Sequence, residues 1–63
     1  MLDSVAAKNF INKKVRLDTD SASFNHYTGF VREVTPRALI LEFLDKRIIA
    51  LDLQDITMIK EAE

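Results

Sequence analysis

The sequence predicts a small, mostly β domain: a short N-terminal helix followed by a five-stranded, strongly bent antiparallel barrel. Three observations carry this reading. From Lys13 onward the apolar residues recur with a period of two, as in half-buried strands. Polar breaks divide that pattern into five runs. The chain's single Gly, Gly29, falls inside the longest run, and its single Pro, Pro36, lies just beyond it, where a bend and a turn are needed. With 63 residues the chain is read as one domain, 1–63. A domain of that size buries only about 60% of the surface of its unfolded chain. There is no Cys, which excludes a disulfide, a thiol nucleophile and a Cys-based metal site. Extra buried area is then expected from a partner chain.

Residues 2–11 are read as the helix. Leu2, Val5, Ala6 and Phe10 fall close to one face, Asp3 or Ser4 can accept the free amides of the first turn, and Lys8, Lys13 and Lys14 suit the negative end. Asn12 is the expected terminator. The first strand, "KKVRLD" from Lys13 to Asp18, turns Val15 and Leu17 inward and Lys14, Arg16 and Asp18 outward. Thr19 to Ser23 is a polar loop, and the second strand is expected from Phe24 to Val34. Eleven residues exceed the usual strand length, so a bend is expected. Strict alternation cannot bury Tyr27, Val31 and Val34 together; a bulge or sharp coil near Gly29 to Glu33 would shift the parity and let it. Gly29 becomes the corner of a closing barrel.

Thr35 and Pro36 form the next turn, after which Leu39, Leu41 and Phe43 alternate with Ala38, Ile40 and Glu42. Asp45 and Lys46 make a tight link to a strand from Arg47 to Leu53, in which Ile49, Leu51 and Leu53 compete with Ile48 and Ala50 for the core. Gln54 and Asp55 interrupt before a last strand, Ile56 to Lys60. Closure would remove the open edges. Phe30, Ile40, Leu44, Ile48 and Met58 lie on the less favoured parity, so a second cover is expected, either the helix or another protein chain.

The helix, the five runs and the spacing Tyr27, Gly29, Val31, Val34 before "LILEF" resemble the Sm-like family of small barrels, in its bacterial branch, and more loosely other SH3-like barrels. The resemblance implies single-stranded RNA as a ligand. It also implies ring formation, with Ile48 to Leu53 of one subunit pairing with Ile56 to Ile59 of the next. The chain departs from the family pattern at Thr35, at "PRA" in the RNA-contacting loop and at "LQDI", where the family carries Arg-Gly.

Nine Lys and Arg against ten Asp and Glu give a formal net charge of -1, a poor basis for nonspecific nucleic-acid binding. A local patch is still expected from Arg37 with Lys46 or Arg47, with His26 and Phe30 stacking on bases. The wider set of bases, Lys13, Lys14, Arg16 and Arg32, is interleaved with carboxylates. Ile48, Leu51, Leu53 and Met58 are the expected oligomer interface, at strand edges able to accept another strand. His26 is the only imidazole; Asp18, Asp20 or Ser23 can approach it, but a chain this small offers little depth for a catalytic pocket. No catalytic residue, metal site or cofactor is assigned. The first residues lack a long apolar run, so a cytoplasmic protein without a membrane span is expected. The function read from the sequence is a non-catalytic binding module, in first place an oligomeric RNA-binding protein. The alternative is a protein-interaction or adaptor barrel that regulates a larger partner.

Overall fold

The computed structural model describes residues 2–20 and 25–62. The expected start of the second strand at Phe24 and most of the polar loop lie outside the described residues. A helix α1 (Ser4–Lys8) precedes five strands, β1 (Lys14–Thr19), β2 (His26–Val34), β3 (Ala38–Phe43), β4 (Ile48–Asp52) and β5 (Ile56–Glu61). A 3-10 turn, η1 (Leu53–Asp55), separates the last two.

α1 starts where Asp3 caps it, its carboxylate accepting the Val5 amide at 2.9 Å. The helix is shorter than residues 2–11 because tighter turns take over at once: the Phe10 amide bonds the Ala7 carbonyl at 3.0 Å and that of Ile11 bonds Lys8 at 3.3 Å. Asn12, at φ 68°, then turns the chain, and its amide bonds the Val31 carbonyl at 2.7 Å. The buried side of α1 is Ala7, flanked by Leu2, Phe10 and Ile11; Val5 and Ala6 face solvent. The expected face is therefore rotated. So short a helix is oriented by its two tethers, Asn12 to Val31 and the Leu2 amide to the Leu53 carbonyl at 2.9 Å, more than by its own periodicity.

In β1, Val15, Leu17 and Thr19 point inward in strict alternation. β2 breaks alternation once. Val31 pairs with Leu41 and Glu33 with Ile40, so Arg32 is an extra residue, and Val31 and Val34 are both buried. Tyr27 is half-buried against the same core. A second irregularity sits in β5, where Asp18 pairs with Met58 and Thr19 with Ile56, leaving Thr57 extra. Val15, Leu17, Val31, Leu39, Leu41 and Ile56 fill the centre; each is worth about 1.5–3 kcal/mol of apolar burial.

The strand order is β4-β3-β2-β1-β5, every neighbouring pair antiparallel. Among the described residues β4 pairs only with β3 and β5 only with β1, so the sheet is open and the expected closed barrel is corrected. η1 carries the chain from one edge to the other without joining them. Period-two patterning and a bulge signal report how a strand sits on its neighbour; they carry no information on whether the outermost strands meet. Gly29 is accordingly not a barrel corner. It is a point where the main chain of β3 lies too close to β2 for a side chain to fit.

Candidate interaction surfaces

Two ends of β3 hold the residues expected to contact RNA. At one end, Thr35 organises the β2–β3 turn: its hydroxyl oxygen accepts the Ala38 amide at 2.9 Å and its own amide bonds the Ala38 carbonyl at 2.8 Å. Arg37 is exposed there and lines a small cleft of about 230 Å³ with Pro36, Asp52 and Gln54. Lys46 and Arg47 sit at the other end, in the β3–β4 turn. Lys46 has φ 73°, its amide bonds the Phe43 carbonyl at 2.9 Å, and the Phe43 amide bonds the Arg47 carbonyl at 2.7 Å. A six-residue strand spans roughly 20 Å, so Arg37 does not share a patch with Lys46 or Arg47.

The other expected contacts are engaged within the fold. Arg47 donates through Nε to Asp45 Oδ2 at 2.7 Å and lies over the Phe43 ring at 5.7 Å. The Asp45 carboxyl is held below the ordinary aspartate range, first by the Arg47 backbone amide that donates to it at 3.1 Å, then by the guanidinium. His26 Nδ1 lies 2.8 Å from Asp18 Oδ1, so of the carboxylates expected near it Asp18 is the partner. Asp20 instead bonds through its amide to the Asp55 carbonyl at 3.0 Å, and Ser23 lies outside the described residues. Phe30 is half-buried beneath the Arg32 guanidinium, 5.4 Å from its ring centre, and Arg32 Nε is held 2.6 Å from Glu42 Oε1. Among the described residues, no group of three or more His, Cys, Asp or Glu is placed to hold a metal ion, and no helix is long and apolar enough to cross a membrane.

A feature that sequence reasoning missed is an open groove of about 420 Å³ lined by His26, Tyr27, Phe43, Leu44 and Arg47. Tyr27 and Phe43 stack within it, ring centres 6.1 Å apart. Neither residue signals this alone. The pairing of Gly29 with Phe43 brings the two rings to the same end of neighbouring strands.

The expected oligomer interface divides. Ile48 is 62% exposed and Met58 37%, whereas Leu51 is half-buried and Leu53, at 3%, belongs to the core. Ile48 and Met58 lie on opposite edge strands. The two edges differ in kind. β5 carries the Thr57 bulge and ends in Lys60 and Glu61, features that blunt an edge. β4 pairs with β3 in unbroken register and reads Ile48, Ile49, Ala50, Leu51 before its first charge at Asp52.

The direction of the free backbone groups on β4 follows from the ladder. The Phe43 amide to the Arg47 carbonyl and the Leu53 amide to the Arg37 carbonyl, 2.9 Å, set which pairs exchange bonds with β3. Alternation then turns Ile49 and Leu51 toward β3 and leaves the N–H and C=O of Ile48, Ala50 and Asp52 pointing off the edge.

No protein-family model, curated protein or solved structure matches the chain. With the sheet open and no family match, the resemblance to Sm-like and SH3-like barrels falls, and the RNA-binding expectation loses the support it drew from that resemblance. The spacing Tyr27, Gly29, Val31, Val34 that carried the resemblance has a local cause: the close approach at Gly29 and the extra residue at Arg32.

Proposed function

We propose that the chain is a non-catalytic protein-interaction module that binds by adding an extended segment of its partner to β4. The observation that carries this is the β4 edge itself: regular, uncharged over its first four residues, with the backbone groups of Ile48 and Ala50 aimed outward. Strand addition draws affinity from such main-chain groups and specificity from alternate side chains. Ile48 supplies an apolar contact beside them. A non-catalytic role is supported by His26, which is 66% exposed and committed to Asp18 on open surface, where a general base lacks the dry cleft that proton transfer needs.

The test is titration of the labelled protein with heptapeptides that alternate valine and threonine, followed by amide chemical shifts. Shifts centred on Ile48, Ala50 and Asp52, abolished by Ala50→Pro, are expected. The Ala50 amide does not bond β3, so its removal leaves the sheet intact while blocking the edge. Shifts centred on the Tyr27–Phe43 groove, or no shifts in a sample kept monomeric by dilution, would reject strand addition at β4.

A further inference from the structure

Resting on that reading of the edge, we infer that the segment added to β4 is β4 of a second copy of this chain, paired antiparallel about a two-fold axis at Ile49. The order of residues along the edge is self-complementary. A cation, Lys46, stands in the turn that enters the strand, an anion, Asp52, whose carboxylate also accepts the Gln54 amide at 2.9 Å, stands at the other end, and Ile48 and Ala50 lie between. Reversing a second copy about Ile49 sets Lys46 beside Asp52 of the other chain at both ends and Ile48 beside Ala50.

The ladder selects this register. Outward-pointing groups belong to Ile48, Ala50 and Asp52, so a new antiparallel pair must exchange bonds at those residues. An axis at Ile49 makes Ile48 and Ala50 the bonded pair and leaves the two Ile49 residues as the closer, non-bonded pair, where each covers the half-exposed side of the other. An axis at Ala50 sets Ile48 against Asp52 and loses both the apolar and the charged match. An axis at Ile48 leaves Lys46 against Ala50. Pairing β4 with β5 of another copy meets the Thr57 bulge and the charges of Lys60 and Glu61. The interface is isologous, as a two-fold contact requires. Being one short strand wide, it belongs among small, reversible interfaces, and the dimer forms with rising concentration.

The chain contains no cysteine, so single-cysteine variants read the register directly. Facing residues of the non-bonded pair lie within disulfide reach, whereas the two copies of Ile48, or of Ala50, stand about 8 Å apart in this register, outside it. With oxidised glutathione as the oxidant, reduced to its thiol as the protein disulfide forms, Ile49→Cys should give a covalent dimer at least tenfold faster than Ile48→Cys or Ala50→Cys. Mixed together, Ile48→Cys and Ala50→Cys should give the heterodimer in preference to either homodimer. That second experiment uses two exposed positions and so does not depend on Ile49→Cys folding. Sedimentation of the unaltered chain should show a monomer–dimer equilibrium that Ala50→Pro abolishes. A monomer at all concentrations, or cross-linking without positional preference, would overturn the two-fold pairing. If the chain stays monomeric while the heptapeptides still shift Ile48 and Ala50, strand addition stands and the self-pairing alone is refuted.

Discussion

Gly29 and Glu42 bring β2 and β3 closer than any side chain would permit. A methyl group built on Gly29 would fall on the Glu42 carbonyl oxygen, with the Glu42 carbonyl carbon at 3.1 Å and Leu41 Cγ at 3.3 Å. The obstacle is main chain, which has nowhere to retreat without breaking the β2–β3 ladder. Gly29→Ala should therefore destabilise the fold by about 1–3 kcal/mol, the usual cost of overfilling a packed site. Urea unfolding measures it; a change within about 0.5 kcal/mol would show that β3 yields freely.

How far this was legible in the sequence differs between elements. Val31 and Val34 cannot share a face under strict alternation, so a bulge or sharp coil near Gly29 to Glu33 could be read from spacing alone, and the structure makes it a bulge with Arg32 as the extra residue. A cap at Asp3 or Ser4 and Asn12 as the terminator follow from residue chemistry, and the Val5 amide selects Asp3. Closure does not, because it depends on whether β4 and β5 meet, a relation between residues that share no local pattern. The same limit hid the separation of Arg37 from Lys46 and Arg47. They lie only nine and ten residues away in sequence but at opposite ends of β3, and neighbours in a hairpin's sequence need not share an end of its sheet.

The Asp45 carboxyl should titrate below the ordinary aspartate range in a carbon-detected NMR titration, because the Arg47 amide and guanidinium both favour its ionised form. Arg47→Ala removes the guanidinium and keeps the amide, which is the larger cause. The midpoint should recover only part of the way. A folded-state value below the unfolded one means that the stabilising contribution is complete above the unfolded range and is lost as pH falls through the folded value. Full recovery in Arg47→Ala would assign the effect to the guanidinium alone.

Asp3 satisfies the Val5 amide at the start of a helix only five residues long, so little else supports that terminus. Asp3→Ala should cost about 1 kcal/mol. The loss should be accompanied by faster hydrogen exchange at Val5, with β1 to β3 unaffected. Unchanged exchange at Val5 would mean that the Leu2 and Asn12 tethers hold α1 without its cap.

Leu53 and Ile48 were both candidates for an exposed interface, and the fold assigns them opposite roles. Leu53 is buried, its amide bonded to the Arg37 carbonyl and its own carbonyl accepting the Leu2 amide, each at 2.9 Å. One residue thus joins η1 to the β2–β3 turn and to the segment entering α1. Leu53→Ala leaves a void beneath those connections and should cost about 2–5 kcal/mol. Ile48→Ala, at dilution low enough to keep the chain monomeric, should fall within about 0.5 kcal/mol, as exposed substitutions do. Chemical unfolding of the two variants side by side checks the assignment. Equal losses would mean that Ile48 is packed within the monomer, leaving β4 no free apolar side chain to offer a partner.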